Sequence, residues 1–174
     1  MGRHRAEIDK GSIYTEVLIT LCFLLILILP VFAYTVEKYL TLNSLQLVGD
    51  AIDASCMNAY EALDIAAASR DQLSIDINSM YPFIKAGICE NLKLDSEMRP
   101  YSGSIAAGEV TIESIELYMN GFPRTCPDGR NVRMPSIHIR LKIPLKPGLF
   151  RTYIINEHGP VYFRVHKDYE IPVI

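Results

Sequence analysis

A chain of 174 residues is long enough for one domain with an appendage. Its 17 basic and 20 acidic side chains leave a formal charge of −3, which lacks the basic excess needed to track a nucleic-acid backbone. The mean hydropathy of +0.16 is high for a chain that is 21% charged, so the apolar residues are concentrated somewhere.

They are concentrated near the N-terminus. From Val17 to Val36 the sequence reads VLITLCFLLILILPVFAYTV, without a charged side chain. As a helix this stretch rises about 30 Å, the thickness of a bilayer's hydrocarbon core. Pro30 is its only breaker, and membrane helices tolerate proline where neighbouring groups re-satisfy the freed carbonyl. A soluble core helix of this length would carry some polar face. Arg3, Arg5 and Lys10 precede the block, while Glu37-Lys38 behind it is neutral in sum. The basic residues therefore predict a single pass with the N-terminus in the cytoplasm and the C-terminus outside.

Three fates of this segment fit the residues. A secretory signal would use the apolar stretch Val17–Leu29 and be cut after Ala33. An uncleaved anchor needs only the span itself. The third depends on Lys10-Gly11-Ser12-Ile13-Tyr14-Thr15-Glu16, directly ahead of the apolar run. Glycine lets a protease approach the backbone closely. A carboxylate at the start of a span is costly, about 2.5–3.5 kcal/mol at the bilayer centre and less near the interface, so it is expected to have a partner.

A short basic leader, a glycine, a glutamate five residues later and a long apolar run containing proline resemble the type IV pilin-like minor pseudopilins. Within them the closest likeness is to the Tad (tight adherence), TadE-like type, and it covers roughly residues 1–68. The resemblance implies that a prepilin peptidase cuts between Gly11 and Ser12, making Glu16 the fifth residue of the mature chain. It also implies that Glu16 pairs with the new α-amino group of Ser12 on an adjacent subunit during filament assembly. The partners it implies are the membrane, the peptidase, other pilin or pseudopilin subunits and the assembly platform.

Past the span the helical pattern continues through Leu42, Leu45, Val48, Ile52, Ala59, Leu63 and Ala66 on one side. Asp50, Asp53, Glu61 and Asp64 fall on the other side. Residues 37–68 therefore read as an amphipathic stalk, and Ser12 to Ala67 as one helix would measure about 84 Å. Gly49 inside it costs about 1 kcal/mol against alanine and signals a bend or a close contact. The small residues Ala59, Ala62, Ala66 and Ala67 suit packing either on the chain's own head or on another helix.

Residues 69–174 read as a strand-rich head. A short helix or mixed segment is expected over Asp71–Cys89, broken at Tyr81-Pro82. Alternation from Glu109 to Leu117 predicts a strand with one slip, and Asn120-Gly121 a turn. Ile137, Ile139, Leu141 and Ile143 alternate with polar residues, as do Val161, Phe163 and Val165 before Ile171-Pro172. With Phe150–Ile155 these make an antiparallel β-meander of about four strands packed on the stalk. The fold class is α+β: a long N-terminal membrane-plus-stalk helix with a small β-meander head. Residues 37–116 hold 13 acidic and 5 basic side chains and residues 117–174 hold 4 and 9, so the two parts are complementary within a head or between subunits.

Of the four cysteines, Cys22 lies in the span and reads as an apolar filler. Cys126 sits in the turn-rich loop Thr125–Gly129 and is paired here with Cys89, leaving Cys56 free, although three outer cysteines allow other pairings. No CxxC pair is present, so zinc is not expected. His138 and His166 fall on outward strand faces and read as exposed sheet residues, with His158 in a turn. No HExxH, GxSxG, phosphate loop or dinucleotide motif occurs. No catalytic residue, metal, cofactor or small-molecule substrate is therefore expected.

The sequence reading is a structural minor pseudopilin of a Tad-type pilus or related secretion apparatus, located in the cytoplasmic membrane or a surface filament. The alternative is a single-pass or secreted extracytoplasmic binding protein that never joins a filament.

Overall fold

An unbroken run of helix-compatible residues dictates the first element. The computed structural model describes residues 3–68, 76–146, 148 and 159–171, with side chains from residue 13 to 61 in the first stretch. Helix α1 spans Arg3–Ala68 and continues through Pro30. That proline removes the N–H that would bond the carbonyl of Ile26, one missing rung in a helix of 66 residues. Large apolar side chains from Ile13 to Phe32 are exposed. Among the described residues this is the one helix long and apolar enough to cross a membrane, and none of its most apolar stretch is buried.

The chain divides into two compact units, Met1–Leu40 and Thr41–Ile174. In the second, the apolar stripe of α1 delivers Val48, Ile52, Cys56 and Ala59, all fully buried. Their spacing of four, four and three residues is that of one helical face. The stalk stripe therefore serves the chain's own core as far as Ala59. The side chains of Ala62, Leu63, Ala66 and Ala67 lie outside the described set.

Helix α2 (Ile77–Leu92) repeats this logic with Met80, Ile84, Ile88 and Leu92 buried. It runs through Pro82, where the sequence pattern placed a break. The helix starts only five residues earlier, so Pro82 removes a rung near an end that already has unpaired N–H groups. The apolar face on both sides of the proline holds the helix together. At its C-terminus Lys93 adopts a left-handed conformation at φ 56°. There the Leu94 N–H donates to Cys89 O at 2.7 Å, closing the helix in the usual way for such a cap.

A three-stranded antiparallel sheet follows, β1 (Thr111–Tyr118), β4 (Ser136–Pro144) and β5 (Tyr162–Glu170), with β4 in the centre. The slip expected in the first strand is present as a register shift between Ile112 and Ser114. Between β1 and β4 the chain makes a separate two-stranded ribbon, β2 (Arg124–Thr125) with β3 (Asn131–Val132), which the alternation pattern did not reveal. The strand expected over Phe150–Ile155 and the turn at His158 lie outside the described residues. Ile137, Ile139, Leu141 and Ile143 of β4 are fully buried against the two helices in the main core.

Two side-chain pairs join the acidic and basic parts of the head: Lys167 with Asp53, and Arg164 Nε with Glu113 Oε1 at 2.9 Å. The disulfide expected between Cys89 and Cys126 is not formed, and all four cysteines are free. The two thiols belong to different clusters. Cys89 borders the main core with its Sγ 3.2 Å from Asp95 O, whereas Cys126 is buried with Tyr118 and Val132 in a second, smaller one.

Candidate functional site

The second cluster lies on the face of the sheet turned away from the main core. With Ile137 and Ile139 packed inward, strand alternation turns His138 and Arg140 to the opposite face. Register sets His138 across from Asp168 and Arg140 across from His166, so all four side chains share that face. The sequence assigned this face to solvent. Instead His138 is fully buried and the side chains of His166 and Asp168 are each 14% exposed, because the segment after β1 returns over them.

The ribbon β2–β3 supplies that cover. Its loop is closed by Cys126 N–H donating to Arg130 O and Gly129 N–H donating to Cys126 O, both at 2.9 Å. Gly129 takes φ +82° there, a conformation that L side chains adopt only with strain. The loop brings both Cys126 and Asp128 to the histidines. Ring contacts fasten it: Arg124 lies 4.3 Å over the Tyr118 ring. Tyr118 in turn stacks on His138 at 5.9 Å. Burial, followed by the hydrogen bond to Glu116, pushes the Tyr118 phenol up to about 12.

Four donor groups converge beneath this cover: Cys126, His138, His166 and Asp168 each offer one ligand atom, and these atoms lie within 4.8 Å of one another. His138 Nδ1 is 2.7 Å from Asp168 Oδ1. His166 Nε2 is 3.1 Å from Asp168 Oδ2 and 3.8 Å from Cys126 Sγ. The remaining ring nitrogens both face Asp128, whose Oδ2 is 3.5 Å from His138 Nε2 and 3.8 Å from His166 Nδ1. The first of these separations does not have hydrogen-bond geometry, which leaves His138 Nε2 buried without a hydrogen-bond partner. Arg140 Nη2 donates to the same Asp128 oxygen at 2.9 Å, and this hydrogen bond holds the Asp128 carboxyl below the usual carboxylate range.

A cysteine beside a histidine and a carboxylate invites comparison with a nucleophile relay. A relay needs the thiol on one imidazole nitrogen and the orienting carboxylate on the other. Here Cys126 and Asp168 address the same nitrogen of His166. The groups point at a common centre instead of forming a chain. His166, Asp128, Arg130, Arg140 and Arg164 also line an open pocket of about 360 Å³, which connects the cluster's edge to solvent.

Of the residues given a role from the sequence, Cys126 alone belongs to this cluster, while His138 and His166, read there as exposed sheet residues, are its buried and part-buried members. Gly11 and Ser12 lie within α1 as helical backbone. Glu16 is exposed on α1 and shares a shallow groove along that helix with Val17, Thr20, Leu21 and Leu24. His138, His166, Asp168 and Asp128 were missed as a group. The pair His166-x-Asp168 does carry a signal, since an i, i+2 spacing in a strand puts both on one face. Linking that pair to His138 requires the β4–β5 register.

These features define an α+β protein with an N-terminal helix long and apolar enough to span a membrane and a convergent polar cluster in its second unit. Comparison with protein-family models, curated proteins and solved structures gives no match.

Proposed function

We propose that the protein is a membrane-anchored structural subunit of the pseudopilin kind, of the Tad type, cut after Gly11 and assembled through α1. The supporting observation is the division of labour along that helix. Its first part exposes apolar side chains from Ile13 to Phe32, with Glu16 near their start. Further along, Val48, Ile52, Cys56 and Ala59 enter the core of the second unit. Exposed apolar surface on this scale is stable in lipid or against like helices, not in water.

In this reading Arg3, Arg5 and Lys10 keep the leader in the cytoplasm while residues 37–174 lie outside. Prepilin peptidase exposes the amino group of Ser12, which meets Glu16 of a neighbouring subunit and removes the cost of a lone carboxylate in lipid. The role is structural: helping to build, prime or tip a surface filament or a related secretion apparatus. A single-pass extracytoplasmic binding protein is the second reading, favoured by the buried Cys126–His166 cluster, which filament packing does not require.

Mass spectrometry of the mature N-terminus separates these readings. The proposal expects Ser12 as the first residue. A start at Tyr34 would mean a secreted protein, and an intact leader only an anchor. Glu16→Ala is expected to abolish incorporation into filaments, and unchanged incorporation would remove the role given to Glu16.

A further inference from the structure

We infer that Cys126, His138, His166 and Asp168 form a binding site for a single zinc-class divalent ion, with Asp128 orienting both histidines from behind. The inference rests on the second unit alone and is independent of how α1 is processed or assembled.

The donor set comes first. One thiolate, two imidazoles and one carboxylate are the ligand types that Zn²⁺ accepts, usually in fours and tetrahedrally. Tetrahedral bonds of 2.0–2.3 Å place ligand atoms about 3.3–3.7 Å apart. The observed separations of 2.7, 3.1 and 3.8 Å, within an outer limit of 4.8 Å, bracket that value. The two short ones are hydrogen-bond lengths, the arrangement expected when protons hold the ligands together. Side-chain shifts that draw the widest separations in and part the two hydrogen-bonded pairs convert it to coordination.

Charge is the second argument. A thiolate and a carboxylate balance a divalent cation while both imidazoles stay neutral, so the loaded site carries no net charge. That condition suits a place where His138 is fully buried and Cys126 only 3% exposed. Without the ion, His138 Nε2 is a buried polar atom with no hydrogen-bond partner. On loading, Cys126 releases its thiol proton to solvent. The His138 proton moves to Nε2 as Nδ1 becomes the ligand, and the His166 proton sits on Nδ1. Asp128 Oδ2, 3.5 and 3.8 Å from these two nitrogens, is then the carboxylate within reach of both N–H groups once the side chains draw together. A carboxylate behind a ligating histidine fixes its tautomer and orientation, and here Asp128 serves two. Arg140 balances Asp128 from the far side, and the open pocket at His166 gives the ion a path in.

The test uses the full-length chain in detergent, stripped with a chelator and reloaded with Zn²⁺ or Co²⁺. Elemental analysis after gel filtration is expected to give one zinc per chain, and zinc is expected to raise the melting temperature. The cobalt form is expected to absorb with a thiolate charge-transfer band and the intense visible bands of a tetrahedral ion. Cys126→Ser should abolish the charge-transfer band, while Cys89→Ser keeps it. Asp128→Asn, which leaves the four ligands in place, is expected to weaken zinc binding by about 10–100-fold. No bound zinc in the wild-type chain would overturn the site without reference to any variant. So would a charge-transfer band that survives Cys126→Ser, or zinc binding unaltered by both Cys126→Ser and His166→Ala.

Discussion

A Cβ built on Gly87 would stand 2.9 Å from Ser55 Cβ and 3.0 Å from Ser55 Cα, so α1 and α2 approach almost backbone to backbone there. Ser55 Oγ stands equally close, 2.9 Å from the same point, and is held there by donating to Ala51 O at 2.6 Å. Gly87→Ala would gain about 1 kcal/mol of helix propensity. It would also force helix backbones apart, and overpacking of that kind costs about 1–3 kcal/mol. The net expectation is a loss of up to about 2 kcal/mol, read as a lower thermal midpoint of the chain in detergent. The contrast is Gly49, whose added Cβ would meet the end of the Lys167 side chain, Cε at 3.2 Å and Nζ at 4.0 Å. A lysine stem can swing aside, so Gly49→Ala is expected to be neutral or stabilising by up to about 1 kcal/mol. Equal losses at both positions would contradict this account.

Lys167 passes over Gly49 to reach Asp53, which ties β5 to α1. Both side chains are about one-third exposed, so solvent screens the pair and its worth is about 0–1 kcal/mol. A double-mutant cycle of Lys167→Met and Asp53→Asn is expected to give a coupling below about 1 kcal/mol. At 1 M salt the screening length shrinks to about 3 Å and the coupling should fall further. A large coupling insensitive to salt would mean that the pair is drier than its exposure implies.

The close contact at Gly49, the slip in β1 and the inward face of β4 were all legible in the sequence because each is a local signal. Glycine in a helix, one break in an alternation and four isoleucine or leucine residues two apart need no tertiary knowledge. Pro82 misled because local propensity favours a break, whereas burial of Met80, Ile84 and Ile88 on both sides decides the outcome. The Cys126 cluster was hidden for a different reason. Its residues come from a loop and two strands, and the face that carries His138 and His166 reads as polar and therefore wet. Only the return of the β2–β3 ribbon over that face makes it dry, and short strands such as Arg124–Thr125 leave almost no periodic trace. Pairing Cys126 with Cys89 failed on the same point, because the thiols face different clusters.

Asp95 gives a pH dependence whose sign is fixed by its contacts. Its Oδ1 accepts the N–H groups of Arg99 at 2.8 Å and Glu97 at 2.9 Å, and Arg99 Nε donates to Oδ2 at 2.9 Å. The Arg99 backbone bond leads in holding the carboxyl below the ordinary range. A depressed folded-state pKa contributes stability above the unfolded value, and this is lost as pH falls through the lower folded value. Wild type should therefore melt above Asp95→Asn at neutral pH, and the two curves should converge as pH drops below about 4. Melting scans from pH 7 to pH 2 check this. A gap that persists at pH 2 would mean that the asparagine alters packing and not charge.

The second unit should fold without the apolar part of α1. Its core draws on α1 only from Val48 onward, with Leu45 partly buried at its edge, and Thr41–Ile174 forms a compact unit. A chain starting at Thr41 removes the exposed apolar side chains between Ile13 and Leu40 while keeping every buried contact of the main core. The new helix end would leave four N–H groups without helical acceptors. Thr41, Asn43 and Ser44 stand there, and all three are residue types that cap helix starts well. The shortened chain is therefore expected to stay monomeric in water without detergent and to unfold cooperatively. The full chain should aggregate or require lipid under the same conditions. Sedimentation velocity and a thermal melt by circular dichroism read both outcomes. Aggregation of the shortened chain, or a melt with no cooperative transition, would mean that the core needs residues before Thr41.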